Sequence, residues 1–224
     1  MKRLNQPSLL ADYVRKCRMQ QVFSFDVSSI VELFSFRRGE FLVEIGVPSE
    51  YIYFLTSGEI LVYTYTVSER LHSRDYYHGL SPVIGEVSIL WGKPPSSTVQ
   101  SLTKGTCVGI SVSQHGAKLL NDNCFLRYVC QTMSERLYTS GFMTSLDPVE
   151  VRLAAFIIAN SNNDLFSFKL STCADLLDTS YRHLFRVISK LSSVGILKKA
   201  ENGYQILNND ALLQLSQGKL ELDM

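Results

Sequence analysis

The sequence has no apolar run approaching the ~20 residues needed to cross a bilayer. Its start, Met1-Lys2-Arg3-Leu4-Asn5-Gln6-Pro7, lacks the long apolar segment of a secretory signal. The chain is therefore expected to stay in the cytoplasm with no membrane partner. Its five cysteines (Cys17, Cys107, Cys124, Cys130, Cys173) show none of the two-residue spacings that gather thiolates around zinc or an iron–sulfur cluster. They read as reduced thiols, mostly in cores, with a surface-lying Cys17 as the candidate for redox sensing. There is no phosphate-cradling glycine loop, no Gly-x-Ser-x-Gly elbow and no metal-spaced His/Cys set, which argues against an enzyme and against a metal site. Charge of one sign is not in excess either. A net charge of +1 is too small for a protein that coats nucleic acid by basicity alone.

What is present is unevenly distributed. With 224 residues, 46% of them hydrophobic, the chain can build two domains of ordinary size. From Phe34 to Ser113 short runs rich in Val, Ile, Tyr, Phe and Thr are punctuated by Gly39, Gly46, Gly58, Gly79, Gly85, Gly92 and Gly105, the pattern of a small barrel or roll. Tyr51 to Leu55 and Ile60 to Tyr65 flank Thr56-Ser57-Gly58-Glu59, which reads as a hairpin with Gly58 at positive φ.

The period changes after Ser113. Leu119, Leu126, Cys130, Met133, Leu137 and Ser140 fall at spacings of three, four or seven, and Val129 widens the stripe, so one long helix is expected. That helix either packs on its own barrel or forms the seam of a homodimer through Leu126, Val129, Cys130, Met133 and Leu137. Asp147-Pro148 then marks a break before a strongly apolar helix, Val149 to Asn160. The division expected is 1–116 for a sensor domain, 117–146 for the dimerisation helix and 147–224 for a second domain.

In that last segment Ser171 can cap a short helix through Leu177, Asp178-Thr179 makes a turn, and Ser180 can cap a second helix to about Ser193. The second carries Leu184, Val187, Ile188 and Leu191 on an inner face, leaving Tyr181, Arg182, His183, Arg186 and Lys190 outward. Between Tyr181 and Lys199 there are five basic residues and no acid. Asn202-Gly203 signals a hairpin between Gly195–Lys199 and Tyr204–Leu207. Helix, helix, helix, hairpin is the order of a winged helix-turn-helix. A helix fits the major groove, and an arginine near its start can bond guanine bidentately. Arg182 and Arg186 share that face. Lys190 and the hydroxyls of Ser171, Thr179 and Ser180 suit phosphates of double-stranded DNA.

The run from Ala174 to Leu191, followed by Gly195-Ile196-Leu197, resembles the helix-turn-helix of the cyclic-AMP receptor/FNR (Crp/Fnr) family. Phe125-Leu126-Arg127, Arg152 to Ile157 and Ser180 to Leu184 are similar to a small, YeiL-like branch of it. The family's base-reading positions fall on Tyr181, Arg182 and Arg186, and only Arg186 matches the usual residue, so the family's operator is not implied. Arg38-Gly39-Glu40-Phe41-Leu42, Tyr53 to Gly58 and Ile84-Gly85-Glu86 resemble a cyclic-nucleotide-binding barrel. The resemblance implies an α+β chain: an N-terminal cyclic-nucleotide-binding-like β-roll, a long dimerisation helix, and a C-terminal winged helix-turn-helix, with RNA polymerase as a further partner.

Its effector site departs from the family. Glu86 matches the ribose-binding acid, but Pro95 stands where the phosphate-binding arginine belongs, and Lys93 lacks the planar fork and would have to turn inward. This argues against cyclic AMP. No iron–sulfur set is present, and His72, His78 and His115 each stand alone, so no haem ligand is assigned. Tyr63, Tyr65, Tyr76 and Tyr77 could line a pocket for an unidentified small molecule, or serve only as barrel core. Three readings stay open: a DNA reader with an unknown effector, a DNA reader active as made, or a nucleotide- or small-molecule-binding regulatory module acting on a protein partner.

Overall fold

A strand buried on both faces should read as a continuous apolar run. In the computed structural model, which describes residues 1–65, 71–78, 83–142, 147–161, 163–220 and 222, the strand Tyr51–Ser57 meets that condition. The chain divides into two units, Met1–Arg136 and Leu137–Met224.

The first unit runs β1 (Lys2–Leu4), α1 (Pro7–Lys16), α2 (Met19–Val22), β2 (Val31–Phe36), β3 (Phe41–Val43), β4 (Tyr51–Ser57), β5 (Glu59–Tyr65), β6 (Leu71–His78) and β7 (Val83–Ile84). It continues with α3 (Glu86–Leu90), β8 (Thr98–Ser101), β9 (Gly105–Ser111), α4 (Val112–Leu120) and the start of α5 (Asn123–Phe142). Two antiparallel sheets form, ordered β1-β2-β9-β4-β7 and β3-β8-β5-β6. Because side chains alternate along a strand, the first sheet feeds two cores. Leu33, Ile52, Phe54, Val108 and Ile110 pack with Met19, Leu119, Phe125 and Val129 of the helices. Phe34, Phe36, Tyr53, Leu55 and Cys107 pack with Ile60 and Val99 of the second sheet.

Two local expectations are corrected. The segment around Gly58 is a corner between sheets and not a hairpin: β4 pairs with β7 and β9, β5 with β6 and β8. Gly58 does take φ +94°, and a Cβ there would lie 3.0 Å from the Cα of Gly105. Thr106 Oγ1 lies 2.7 Å from Thr56 Oγ1 and 2.8 Å from Ser57 Oγ, fastening the irregularity in β4. Turn chemistry is local, and here long-range pairing of β4 with β9 decides. The second correction concerns the long helix, which is broken between Leu120 and Asn123. Asp122 explains the break: buried, it caps α5 by accepting from the Cys124 amide at 3.0 Å and also takes the Ser24 amide at 2.9 Å. Burial opposes its ionisation, but the amides of Ser24, Cys124 and Phe125 outweigh that and hold the carboxyl below its usual range. Leu119 therefore belongs to α4.

The second unit contains α6 (Val149–Asn160), β10 (Leu165–Phe166), α7 (Leu170–Leu176), α8 (Tyr181–Ser193), β11 (Leu197–Ala200), β12 (Gly203–Ile206) and α9 (Asn209–Ser216). Its sheet is ordered β10-β12-β11 over a core of Leu153, Ile157, Phe166, Leu184, Ile188 and Leu212. The wing hairpin forms, but Gly203 pairs with Ala200, so Glu201-Asn202 makes the turn. Gly203, at φ +145°, is required by proximity: a Cβ would collide with the Phe166 carbonyl oxygen of β10. Among the described residues no helix is long and apolar enough to cross a membrane. Gly79, the end of the dimerisation helix at 143–146 and Asn162 lie outside the described residues, as do the side chains of Tyr65, His72, His78 and Ser140.

Candidate nucleic-acid interface and barrel pocket

The strongly amphipathic α8 is seated by four side chains, Leu184, Val187, Ile188 and Leu191, each no more than 1% exposed. Ser180 caps it, accepting from the His183 amide at 3.1 Å. Tyr181, Arg182, Phe185, Arg186 and Ser189 are exposed. Among the described residues no ion pair engages Arg182, Arg186 or Lys190, or Lys198 and Lys199 on β11. That leaves the charge of Arg182 and Arg186, four residues apart on the exposed side of α8, available to an external anion.

Other candidates sit differently. Ser171 is not a cap: Lys169 holds that position, and Ser171 lies half-buried in the first turn of α7. Thr179 and Lys190 are half-buried. His183 does not point fully outward, since its Nε2 is buried without a hydrogen-bond partner. Phe185, not among the residues expected at the interface, is 48% exposed, and its ring stacks on Tyr181 with centroids 6.2 Å apart. Its position one residue after Leu184, off the inner stripe, was the available signal. Arg152, one of the residues that carry the family resemblance, braces the turn that leads into α8. Buried beneath the turn, it donates from Nε to the Asp147 carbonyl at 2.9 Å and from Nη1 to the Leu177 carbonyl, next to Asp178 at φ +45°.

Two stripes run along α5. Phe125, Val129 and Thr132 are buried on the barrel side, so Val129 belongs to the chain's own core and not to an outward seam. Leu126 and Met133 are half-buried, each packing one edge against the chain's own core, while Cys130 is exposed and Leu137 is 74% exposed, at spacings of four, three and four. Cys17 is half-buried and burial pushes its thiol up to about 11, which makes it a poor redox sensor.

Glu86 and Pro95 line one cavity of about 180 Å³ in the barrel. Of the tyrosines, Tyr77 lines it and Tyr63 is buried in the barrel. Lys93 is exposed and off the lining. An arginine reaches the cavity nonetheless, from α5: Arg136 Nη1 lies 3.2 Å from Glu86 Oε1, and Nη2 donates to the Val83 carbonyl at 2.8 Å. Its guanidinium sits 5.0 Å from the centre of the Tyr77 ring. It was legible as the next barrel-side position after Phe125, Val129 and Thr132, each three or four apart. These residues do not fit a cyclic nucleotide. The phosphate-binding position is the buried Pro95, the one base present is already bonded to Glu86, and the cavity is below the ~300 Å³ where ordinary ligand pockets begin. Among the described residues no group of three His, Cys, Asp or Glu could hold a metal.

A two-sheet barrel, a long helix and a winged helix with an exposed basic recognition helix make up the architecture of a DNA-binding regulator with a sensor domain. The cyclic nucleotide-binding domain family matches residues 33–122. The chain is 31% identical over 204 residues to Regulatory protein YeiL of Escherichia coli O157:H7, covering 90% of this chain and 91% of that protein. FixK2 from Bradyrhizobium japonicum superposes with TM-score 0.73 at 17% identity, over 83% of this chain and 97% of that one. TTHB099, a CRP-family transcriptional regulator from Thermus thermophilus, gives 0.69 at 17%, over 84% and 99%. The chain belongs to the Crp/Fnr family of transcription regulators, and its relatives are regulators and not enzymes.

Proposed function

We propose that the chain acts as a homodimer joined along the outward stripe of α5, Leu126, Cys130, Met133 and Leu137. Each protomer lays α8 in one of two successive major grooves, about 34 Å apart, on a nearly palindromic operator. The observation that carries this reading is the outer face of α8. It exposes Tyr181, Arg182, Phe185 and Arg186 on a helix fixed from beneath by four buried side chains and entered from a turn that Arg152 holds at the Leu177 carbonyl. A helix ~10–12 Å across fits a major groove ~12 Å wide. Arg186 and Arg182 read base edges, the Tyr181 and Phe185 rings lie against thymine methyls, and Lys190 and the Thr179 and Ser180 hydroxyls hold phosphates. The regulator works in the cytoplasm beside RNA polymerase and answers a signal other than cyclic AMP.

Anisotropy titrations with operator and random duplexes test the assignment. Arg186→Ala should weaken operator binding by about 1–3 kcal/mol and relax one base position, while Lys190→Ala weakens all duplexes alike and lowers the salt slope by about 1. Equal loss on operator and random DNA for Arg186→Ala would remove the base-reading role.

A further inference from the structure

The outer side of α8 carries two ridges of residues four apart, Arg182 with Arg186 and Tyr181 with Phe185 and Ser189. Phe185 and Ser189 line one shallow groove together with both arginines. Exposed apolar side chains scattered singly need no explanation, but Tyr181 and Phe185 form a pair, 54% and 48% exposed, with ring planes 15° apart. A ring cannot bond the oxygen, nitrogen or amino groups on a base edge, and covering one of them leaves it without a partner, which is costly. The apolar group that DNA does present in the major groove is the methyl at C5 of a pyrimidine. In unmodified DNA that base is thymine; after cytosine methylation, 5-methylcytosine presents the same methyl. The two differ at the neighbouring C4, where thymine has an acceptor oxygen and cytosine an amino donor. Ser189 decides between them. Its hydroxyl donates to the Phe185 carbonyl at 2.8 Å, so what it offers a base is its lone pairs. These match the cytosine amino group and oppose the thymine oxygen.

We infer that Phe185 and Ser189 form a site for 5-methylcytosine, so that methylation of cytosine in DNA strengthens the chain's hold on its operator. The inference rests on the reading of α8 as the base-contacting helix and adds to it the base modification that the helix senses. Phe185, backed by the Tyr181 ring, covers the methyl; Ser189 accepts from the amino group at C4; and an arginine of the neighbouring ridge bonds a guanine beside it. Unmodified cytosine keeps the amino contact and leaves the ring without its methyl. Thymine keeps the methyl contact and sets two acceptors, its O4 and the Ser189 hydroxyl, against each other. 5-Methylcytosine satisfies both side chains.

Selection from two random duplex libraries, one made with cytosine and one with 5-methylcytosine, supplies the operator. Anisotropy titrations of the full chain then compare cytosine, 5-methylcytosine, thymine and uracil at each pyrimidine of a half-site. At one position 5-methylcytosine should bind tightest of the four. Removing its methyl should weaken binding about 4-fold per half-site, the ~0.8 kcal/mol of one buried methyl-sized group, and hence about 15-fold over a symmetric pair. Uracil in place of thymine should show the same step. Phe185→Ala should abolish the difference between methylated and unmethylated bases, and Ser189→Ala should abolish the preference for 5-methylcytosine over thymine while keeping the effect of the methyl. Both side chains are exposed, so circular-dichroism melts of the variants should match the wild type. A methyl effect below about 2-fold at every position, less than half the step expected of a buried methyl, would overturn the inference and leave α8 a base reader. So would a methyl effect that persists in Phe185→Ala, or thymine binding more tightly than 5-methylcytosine. Failure to enrich any sequence from either library would remove the base reading itself, and the inference with it.

Discussion

Replacing Asp122 by alanine removes the acceptor that breaks the chain between α4 and α5 and anchors the segment before β2. Its carboxylate takes the Ser24 amide at 2.9 Å and the Cys124 amide at 3.0 Å in a site only 4% exposed. A hydrogen bond to a charged group contributes about 1.5–3 kcal/mol, and two are lost together, offset by no longer having to bury the charge, so about 3–4 kcal/mol is expected. Asp122→Asn keeps one acceptor oxygen with neutral bonds and should lose about half of that. The pH dependence has a fixed sign. The folded carboxyl titrates below its ordinary range, so the unfolded chain takes up its proton first as pH falls. Its stabilisation is complete above the unfolded value of about 4 and is lost as pH drops through the folded one. The gap between the wild type and Asp122→Asn should therefore be widest near neutrality and narrow in acid. Native-state hydrogen exchange under urea reads the two units separately: β9 amides should lose protection while α8 amides keep theirs. A change in β9 below about 0.5 kcal/mol, the level of an ordinary surface substitution, or a gap that widens in acid, would refute the reasoning.

Further outcomes follow from the same contacts. Cys130→Glu with Leu137→Glu places charge on the outward stripe of α5 and should give a monomer in sedimentation velocity with native circular dichroism; an unchanged sedimentation coefficient would contradict the seam. Arg152→Met removes the guanidinium's hydrogen bonds to the Leu177 and Asp147 carbonyls beneath the turn and should cost the second unit about 2–4 kcal/mol in chemical denaturation, with DNA affinity falling as the turn before α8 loosens. A loss below about 1 kcal/mol, no more than one ordinary hydrogen bond, would show that the turn holds itself.

Periodicity made much of this molecule legible. The inner face of α8 is the i, i+3, i+4, i+7 set expected, Ser180 caps it, and α6 buries Val149, Leu153, Phe156 and Ile157 along one face, with Arg152 and Ala154 buried to either side of it. What stayed hidden depended on partners distant in sequence. Asp122 breaks a helical stripe because Ser24 is beside it, and β4 leaves β5 because β9 is a better neighbour. The helix α9, capped by Asn208 on the Ala211 amide at 2.9 Å, carried a readable cap that went unused. For the pocket, motif matching found Glu86 and the missing arginine at Pro95. Spacing puts Arg136 on the barrel side of α5, but its pairing with Glu86 could not be read, because the two lie 50 residues apart and only the folded barrel joins them.

The most direct measurement of the central claim is selection of bound sequences from a random duplex library by the purified protein, with no nucleotide added. The account expects an inverted repeat whose half-site centres lie about 10–10.5 base pairs apart, the spacing of successive major grooves for two α8 helices. Recovery of a single half-site, of no preferred sequence, or of a repeat only when cyclic AMP is supplied would contradict it.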